Sequence, residues 1–199
     1  MASRCLLLTA VLALAAPTRA SGAGNYCART PADWSVIRGT LGQTASCGAW
    51  VLATDASAAR YSYGELELGP AVVPFELMVT MRRLSGDSGH SLEIGFMGRW
   101  LMVKDGAWGV YLNEPQFNAD GWHAQAGLDT HREHTVVVTR LADEVRVRLD
   151  GKDLGAWPLS GAPAAGSARI GFKGMGGYRA RMRFRDVSVR ALPAAATQP

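Results

Sequence analysis

The segment Phe75-Glu76-Leu77-Met78-Val79-Thr80-Met81-Arg82 carries an apolar side chain at every odd-numbered position. Side chains of an extended strand point alternately to its two faces, so this spacing predicts a strand with one face in a core and the other toward water or a ligand. The same alternation recurs in residues 91–96 and 145–150. Beyond residue 20, no stretch of ten or more residues has apolar side chains at helical spacing. The pattern predicts an all-β protein.

Short strands of this kind recur along the chain, and glycine-containing turns separate them. Further strands are expected near residues 34–38, 48–53, 62–68, 100–104, 107–112, 134–140, 167–173 and 179–191. Asp-Gly pairs at 105–106, 120–121 and 150–151, with glycine-rich segments at 85–89 and 174–177, mark turns between them. This rhythm is typical of a two-sheet antiparallel sandwich or a barrel.

The last strand contains an irregularity. Its apolar side chains occupy even positions up to Phe184 and odd positions from Val187 onward. A β-bulge sets two residues of one strand opposite one residue of its neighbour, and so restores the facing after such a change. We therefore predict a bulge at Arg185 or Asp186.

The composition excludes several classes of function. Charged residues make up 19% of the 199 residues, and the formal net charge is only +4. Disordered chains, coiled coils and nucleic-acid-binding arms need more charge than this. The sequence also lacks a Gly-x-Ser-x-Gly turn, a phosphate-binding Gly-x-x-x-x-Gly-Lys loop and a dinucleotide fingerprint. We expect no nucleic-acid partner, no nucleotide and no cofactor.

The first twenty residues have the pattern of an export signal. Arg4 precedes an apolar run over residues 5–16, which is too short to span a bilayer as a mature helix. Small residues at Thr18 and Ala20 suit signal peptidase, so we expect cleavage after Ala20, with Ala23 as the alternative site. A short membrane anchor is the competing interpretation. The mature protein is expected to be exported, either periplasmic or secreted.

Cleavage would remove Cys5 and leave Cys27 and Cys47 as the two cysteines of the chain. In an oxidising compartment such a pair is expected to form a disulfide. This bridge would tie the N-terminal segment, residues 21–33, to the domain that follows. A reactive thiol or half of a metal site is the alternative, but no histidine or third cysteine lies nearby in the sequence.

Four segments together resemble a known superfamily: residues 75–84, 145–152, 168–172 and 184–189. Their order is similar to that of the concanavalin A-like lectin and glucanase superfamily, and within it to bacterial 3-keto-disaccharide hydrolase-like and laminin-G-like domains. The resemblance spans roughly residues 34–192 and implies a two-sheet antiparallel jelly-roll sandwich. Residues 193–199 have no pattern and are expected to form a flexible tail.

The resemblance does not extend to glucanase chemistry. Most glycosidases need two carboxyl groups flanking the scissile bond. Laminarinase-type members of the superfamily carry theirs as Glu-x-Asp-x-x-Glu on one strand. The nearest match begins at Glu93 and lacks both the Asp and the second Glu.

Glu93 lies on the polar face of its predicted strand. If residues 85–90 form a hairpin loop, Glu93 opposes Arg82 on one face. Two roles are then open: a structural ion pair, or a pair that binds sugar hydroxyls in a shallow groove.

Aromatic residues are concentrated between Trp100 and Trp122. Aromatic rings stack on the apolar faces of sugars, although core packing is the competing role. We expect Trp108 to face the core and Trp100 and Tyr111 to line the groove. Outside this region, Trp34, Trp50 and Trp157 are expected to fill or cover the sandwich. The full set of candidate ligand-binding residues is Arg82, Glu93, Trp100, Tyr111, Trp122 and His123.

A metal site at His131-Arg132-Glu133-His134 is not expected, because histidines three apart lie together on a helix and not on a strand. A structural calcium stays open as an alternative, although no acidic loop has a recognisable spacing.

Arg179, Arg181, Arg183 and Arg185 form a row on the last predicted strand. The row either binds an acidic polysaccharide or a membrane surface, or forms cross-strand ion pairs with Glu65 and Glu67. We favour the ion pairs.

Two functions remain. The first is an exported jelly-roll module that binds a glycan or a cell-envelope polysaccharide through one sheet face. The second is a glycoside-active enzyme of the 3-keto-disaccharide hydrolase type, in which a single base removes the acidified hydrogen beside the keto group. An envelope interaction domain without a sugar site is a third interpretation.

Overall fold

The computed structural model of the chain describes residues 24–25, 34–44, 48–54, 61–86, 90–97, 99–112, 121–159, 165–175 and 179–193. In chain order the strands are β1 (Gly24–Asn25), β2 (Ser35–Arg38), β3 (Thr40–Gln43), β4 (Ala49–Ala53), β5 (Tyr61–Val72), β6 (Phe75–Ser85), β7 (Ser91–Phe96), β8 (Arg99–Lys104), β9 (Ala107–Leu112), β10 (His123–Ala124), β11 (His134–Arg140), β12 (Glu144–Leu149), β13 (Lys152–Pro158), β14 (Ala165–Met175) and β15 (Arg181–Ala191). The described residues contain no helix.

The strands form two antiparallel sheets. In the first sheet the order is β13-β12-β11-β6-β15-β4-β3, and β1 also pairs with β15. In the second sheet the order is β10-β9-β8-β7-β14-β5-β2. The predicted all-β, two-sheet antiparallel sandwich is confirmed. The sequence pattern missed four strands: β1, β3, β10 and β13. Of these, β3, β10 and β13 lie at sheet edges, where little apolar side chain is buried and the alternation is weak.

The core lies between the two inner faces and follows the predicted alternation. Along β6, the side chains of Phe75, Leu77, Val79 and Met81 are at most 1% exposed. The residues between them are more exposed, and Thr80, at 6%, is the most buried of these. An aromatic cluster closes part of this core, as expected for Trp34 and Trp50. The ring centroids of these two tryptophans lie 4.6 Å apart, and the Trp50 ring stacks on Phe184 at 6.1 Å.

The bulge predicted in the last strand is confirmed. The pairing of β15 with β6 shifts register between Arg185 and Ser188, and Asp186 has a φ of 53°. The left-handed backbone at Asp186 accommodates the extra residue, after which Val187 again points into the core at 0% exposure.

A charged contact ties the turn between β8 and β9 to the first sheet. Arg83 of β6 is 3% exposed, and its Nη2 donates a hydrogen bond of 2.5 Å to Oδ2 of Asp105. The other carboxylate oxygen of Asp105 accepts hydrogen bonds from the backbone N–H and the hydroxyl of Thr130. The pKa of Asp105 is lowered, because these hydrogen bonds and the Arg83 charge together outweigh its partial desolvation.

Several expectations fall outside the described residues. The export signal at residues 1–20, Cys27 and Cys47 with their expected disulfide, and residues 194–199 of the tail belong to this group. No helix in the described ranges is long and apolar enough to cross a bilayer.

Candidate functional site on the second sheet

The outer face of the second sheet carries charged and polar side chains on β5, β7 and β14. On β14 the side chains of Ala168, Ile170 and Phe172 are buried in the core, so the alternate residues point outward. β14 pairs with β5 on one side and with β7 on the other, and β7 pairs with β8. The second-sheet face is defined here by Tyr63, Glu65, Glu67, Ser91, Glu93, Gly95, Trp100, Met102, Arg169, Gly171 and Lys173.

Glu93 lies at the centre of this face and is 4% exposed. Its Oε1 accepts a hydrogen bond of 3.0 Å from the Ser91 hydroxyl. Burial raises the pKa of Glu93 to about 7, and the charge of Lys173 and the Ser91 hydrogen bond only partly oppose this rise. The Glu93 carboxyl therefore changes between its protonated and ionised forms near neutral pH.

Lys173 is the cation next to this carboxyl. It is 6% exposed, and burial lowers its pKa while the charge of Glu93 acts in the opposite direction. Its Nζ lies 5.6 Å from the ring centroid of Tyr63, and the Arg38 guanidinium lies 5.1 Å from the same ring. Glu93 and Lys173 are therefore a pair of buried titratable side chains that interact electrostatically on this face.

Glycine makes room for an aromatic ring on this face. Gly171 lies directly opposite Glu93, but a Cβ at Gly171 would lie 3.5 Å from Glu93 Oε2, which is an ordinary van der Waals contact. Gly95 lies opposite Trp100, and a Cβ there would come within 2.9 Å of the six-membered ring of the indole. The Trp100 ring therefore lies across β7, in space that only a glycine leaves free.

An ion-pair network borders the indole. Arg169 lies opposite Gly95 in the strand register, on the side away from Trp100. Its Nη1 donates a hydrogen bond of 2.9 Å to Oε1 of Glu65, and its Nη2 lies 3.5 Å from Oε2 of Glu67. These three side chains are more exposed than the Glu93–Lys173 pair. The arrangement places an aromatic surface beside accessible charged donors and acceptors.

The predicted ligand-binding residues divide between several places. Glu93 and Trp100 lie together on the second-sheet face, and Tyr111 of β9 lies opposite Trp100 in the register. The ring of Trp122 lies under the ammonium group of Lys104, at 3.9 Å from nitrogen to centroid.

His123 points to the other side of its strand. Its ring stacks on the buried Trp108, with centroids 4.2 Å apart. Trp108 faces the core, as expected, while His123 covers it at the sheet edge.

The prediction that Arg82 opposes Glu93 is wrong. β6 belongs to the first sheet and β7 to the second, so the connection between them crosses the sandwich and does not form a hairpin. Arg82 lies opposite Arg183 of β15.

The expected ion pairs between the last strand and Glu65 or Glu67 are also wrong, for the same reason. β15 and β5 lie in different sheets, and both glutamates contact Arg169 instead. The arginines of β15 find another partner, Glu133, in the turn before β11.

Sequence reasoning missed Arg169, Lys173 and Tyr63 as site residues. The signal was present on β14, where both cations alternate with core residues. What the sequence could not supply is the strand order that brings β14 between β5 and β7.

No three His, Cys, Asp or Glu side chains converge as metal ligands anywhere in the described ranges. The ring of His134 is held by other groups: Nδ1 lies 2.7 Å from Asp150 Oδ2, and Nε2 lies 2.8 Å from the carbonyl oxygen of Asp129.

Comparisons with known proteins identify the fold. No family model and no curated protein matches the chain. Among solved structures, the carbohydrate-binding module CBM66 from Bacillus subtilis superposes with a TM-score of 0.59 at 12% identity, over 79% of this chain and 95% of the module. The exoplasmic/lumenal domain of VIP36, in its Ca2+/Man-bound form, gives a TM-score of 0.58 at 10% identity, over 83% of this chain and 86% of that domain.

A sialidase gives a TM-score of 0.59 at 14% identity. The match covers 86% of this chain, which spans only 18% of the sialidase. At these identities the likeness concerns the fold. The chain has the two-sheet jelly-roll fold that the resemblance in its sequence implied.

Proposed function

We propose that the protein is an exported carbohydrate-binding module that holds a glycan on the second-sheet face. The observation that carries the proposal is the Trp100 indole lying on Gly95, next to the charged side chains of Arg169 and Glu65. The flat ring offers a stacking surface for the apolar face of a sugar, and the charged groups offer partners for its hydroxyls.

The buried Glu93–Lys173 pair supports this surface from below. Since both side chains are almost inaccessible, their role in the module is to fix the neighbouring rings and strands. Lys173 lies against the Tyr63 ring, and the Glu93 carboxyl fills the space beside Gly171.

Two further observations support the proposal. The structural neighbours include a carbohydrate-binding module and a domain in a Ca2+/Man-bound form. The first twenty residues have the pattern of an export signal, and export would place the domain among envelope and extracellular polysaccharides. The expected ligand is therefore a glycan or a cell-envelope polysaccharide.

The proposal is tested by measuring retention on a glycan array and titrating the best ligand by calorimetry. Trp100→Ala is expected to lower the affinity at least about tenfold, since it removes the stacking surface. Trp157→Ala is the matched control, because Trp157 is also a partly exposed tryptophan but lies on β13 of the first sheet. Equal losses in both variants, or no glycan bound by the wild-type protein, would remove the proposal.

A glycoside-active enzyme is the second candidate, and the pKa of Glu93 near 7 favours it. A carboxylate with this pKa is suited to remove the hydrogen beside a keto group of an oxidised sugar. The electron pair of that C–H bond would pass into an enolate, whose charge the nearby Lys173 ammonium would stabilise. This candidate ranks second because Glu93 is only 4% exposed.

The enzyme candidate is tested by assaying 3-keto-glycosides with the wild-type protein and Glu93→Gln. The candidate predicts turnover that rises with pH through about 7 and is lost in the variant. Absence of turnover by the wild-type protein, or turnover that the variant retains, would exclude this role for Glu93.

A further inference from the structure

The outer face of the first sheet, on the opposite side of the sandwich from the second-sheet face, carries five arginines. Arg181, Arg183 and Arg185 alternate along β15 with side chains buried in the core. Arg179 continues the same alternation just before β15, and Arg82 of β6 lies opposite Arg183. These five residues are called the arginine face.

Only part of this positive charge is balanced. Glu133 accepts a hydrogen bond of 2.8 Å at Oε2 from Arg185 Nη2, and its Oε1 accepts one from Arg183. Hydrogen bonds from Arg185 and then from Arg183 lower the pKa of Glu133 to about 2, so the carboxylate is ionised at neutral pH. Asp186 pairs with Arg185 as well.

Three of the arginines lack such partners. Within the ranges that the structure describes, the side chains of Arg82, Arg179 and Arg181 form no hydrogen bond or ion pair. Arg179 and Arg181 are exposed to solvent, and Arg82 is partly exposed. Their charges are therefore available to an anionic ligand.

A groove lies beside Arg181. It has a volume of about 390 Å3 and is lined by Thr40, Leu41, Gly42, Thr44, Val51, Ala53 and Arg181. Its floor is formed where the outward residues of β3 and β4 are small: Thr40 lies opposite Ala53, and Gly42 lies opposite Val51. Ala53 in turn lies opposite Arg181, so the Arg181 side chain forms one side of the groove. This volume falls within the range of small-ligand sites, and the exposed hydroxyl of Thr40 suits a sugar.

We propose that the arginine face binds an anionic polysaccharide. Its sulfate or carboxylate groups would pair with Arg82, Arg179 and Arg181, and one sugar unit would occupy the groove. The site is separate from the one on the second-sheet face and does not depend on it.

The spacing of the charges favours a linear polymer. Alternate residues of a strand are about 7 Å apart, so the row from Arg179 to Arg185 presents positive charge at regular intervals along about 20 Å. A single small anion would use only one or two of these groups.

The apolar residues argue against a membrane surface as the ligand. Interfacial membrane binding buries apolar side chains between the lipid headgroups. Among the described residues, the exposed large apolar side chains are Val36, Ile37 and Val72, and all three belong to the second sheet. The arginine face has charge and a polar groove instead.

The test is binding of the whole protein to immobilised heparin, polygalacturonate and dextran. Heparin supplies sulfates, polygalacturonate supplies carboxylates, and dextran is neutral. Binding to either anionic polymer at low salt, with loss at about 0.5 M salt, is expected, and the polymer that binds identifies the anionic group. Binding to dextran that equals binding to both anionic polymers, or binding to none of them, would overturn the proposal.

Charge-removing variants distinguish a specific binding site from nonspecific electrostatic attraction. Arg179→Gln combined with Arg181→Gln is expected to weaken binding at least about tenfold. Arg148→Gln combined with Lys152→Gln removes the same charge from exposed positions near the opposite edge of the first sheet, and is expected to change affinity less than about twofold. Thermal melting checks that both double variants are folded. Equal losses in the two would overturn the proposal.

Glu133→Gln is expected to have the opposite effect on polysaccharide binding. It releases Arg183 and Arg185 from their shared carboxylate, so binding is expected to tighten severalfold. Weaker binding in this variant would contradict the proposal. Binding to phosphatidylglycerol vesicles that requires Arg179 and Arg181, without binding to either anionic polysaccharide, would also contradict the proposal.

Discussion

The charged side chains on the two outer faces of the sandwich lie in different environments. On the second-sheet face, Glu93 and Lys173 are nearly inaccessible, and burial raises the pKa of the acid and lowers that of the base. On the arginine face, Glu133 is exposed, and its pKa is lowered to about 2 by the arginines that bind it. Desolvation therefore controls the pKa values of Glu93 and Lys173, and hydrogen bonding to cations controls that of Glu133.

Glu93 should make the stability of the protein strongly dependent on pH. The pKa of Glu93 is about 7 in the folded protein against 4.5 in the unfolded chain, so the folded state holds the proton more tightly. Its contribution to stability is greatest below about pH 4.5 and is lost as the pH rises to about 7. Each pKa unit corresponds to about 1.4 kcal/mol, which makes the total about 3 kcal/mol.

Glu93→Gln removes this dependence. The free energy of unfolding of the variant, relative to wild type, is expected to rise by up to about 3 kcal/mol between pH 4 and pH 8. Urea denaturation at a series of pH values measures it. A difference between the two proteins that is constant with pH would show that Glu93 is not desolvated.

Lys173→Met tests the partner of Glu93. The variant leaves a buried carboxylate without its cation, and we expect a loss of about 2 kcal/mol at pH 8. The loss is smaller than that of a fully broken pair, because Glu93 can take up a proton. At pH 5 the carboxyl is already neutral, so the loss should shrink below about 1 kcal/mol. Equal losses at the two pH values would indicate a packing role for Lys173 alone.

Gly95→Val tests the close approach of the Trp100 indole. The added side chain occupies the position of the ring, which lies within 2.9 Å of the first added carbon. Overpacking of this kind is expected to destabilise the fold by about 1 kcal/mol. It should also lower glycan affinity about tenfold by lifting the ring. Thermal melting and calorimetric titration measure the two effects. An unchanged affinity for the glycan would show that binding does not depend on the position of the Trp100 ring.

Ion pairs on the arginine face should contribute little to the stability of the protein. Glu133→Gln breaks contacts with two arginines, yet exposed ion pairs contribute little because water and salt screen them. We expect a loss below about 1 kcal/mol at pH 7. The contribution of Glu133 is fully present above about pH 4.5 and falls as the pH drops toward 2. A loss of unfolding free energy as large as that in Lys173→Met would show that the charged side chains of the two faces contribute equally to stability.

The fold was predictable because its signals are local. Alternation along β6 identifies a strand with a single buried face, and the change of parity after Phe184 locates the bulge at Asp186. Both features can be read from neighbouring residues, since the side-chain period of a strand is two.

The candidate site was predictable only in part, because it depends on strand order. Glu93 and Trp100 were found from their own strands. Lys173 and Arg169 reach the same face through β14, about eighty residues later in the chain. Arg82 was placed with Glu93 because consecutive strands often form hairpins, whereas β6 and β7 lie in different sheets.

A crystal structure of the protein bound to the glycan that it retains best would locate the sugar on the sandwich. We expect a sugar ring stacked on the Trp100 indole, with a hydroxyl within hydrogen-bond distance of Arg169 or Glu65. A sugar bound elsewhere, with the second-sheet face empty, would show that this face is not the binding site.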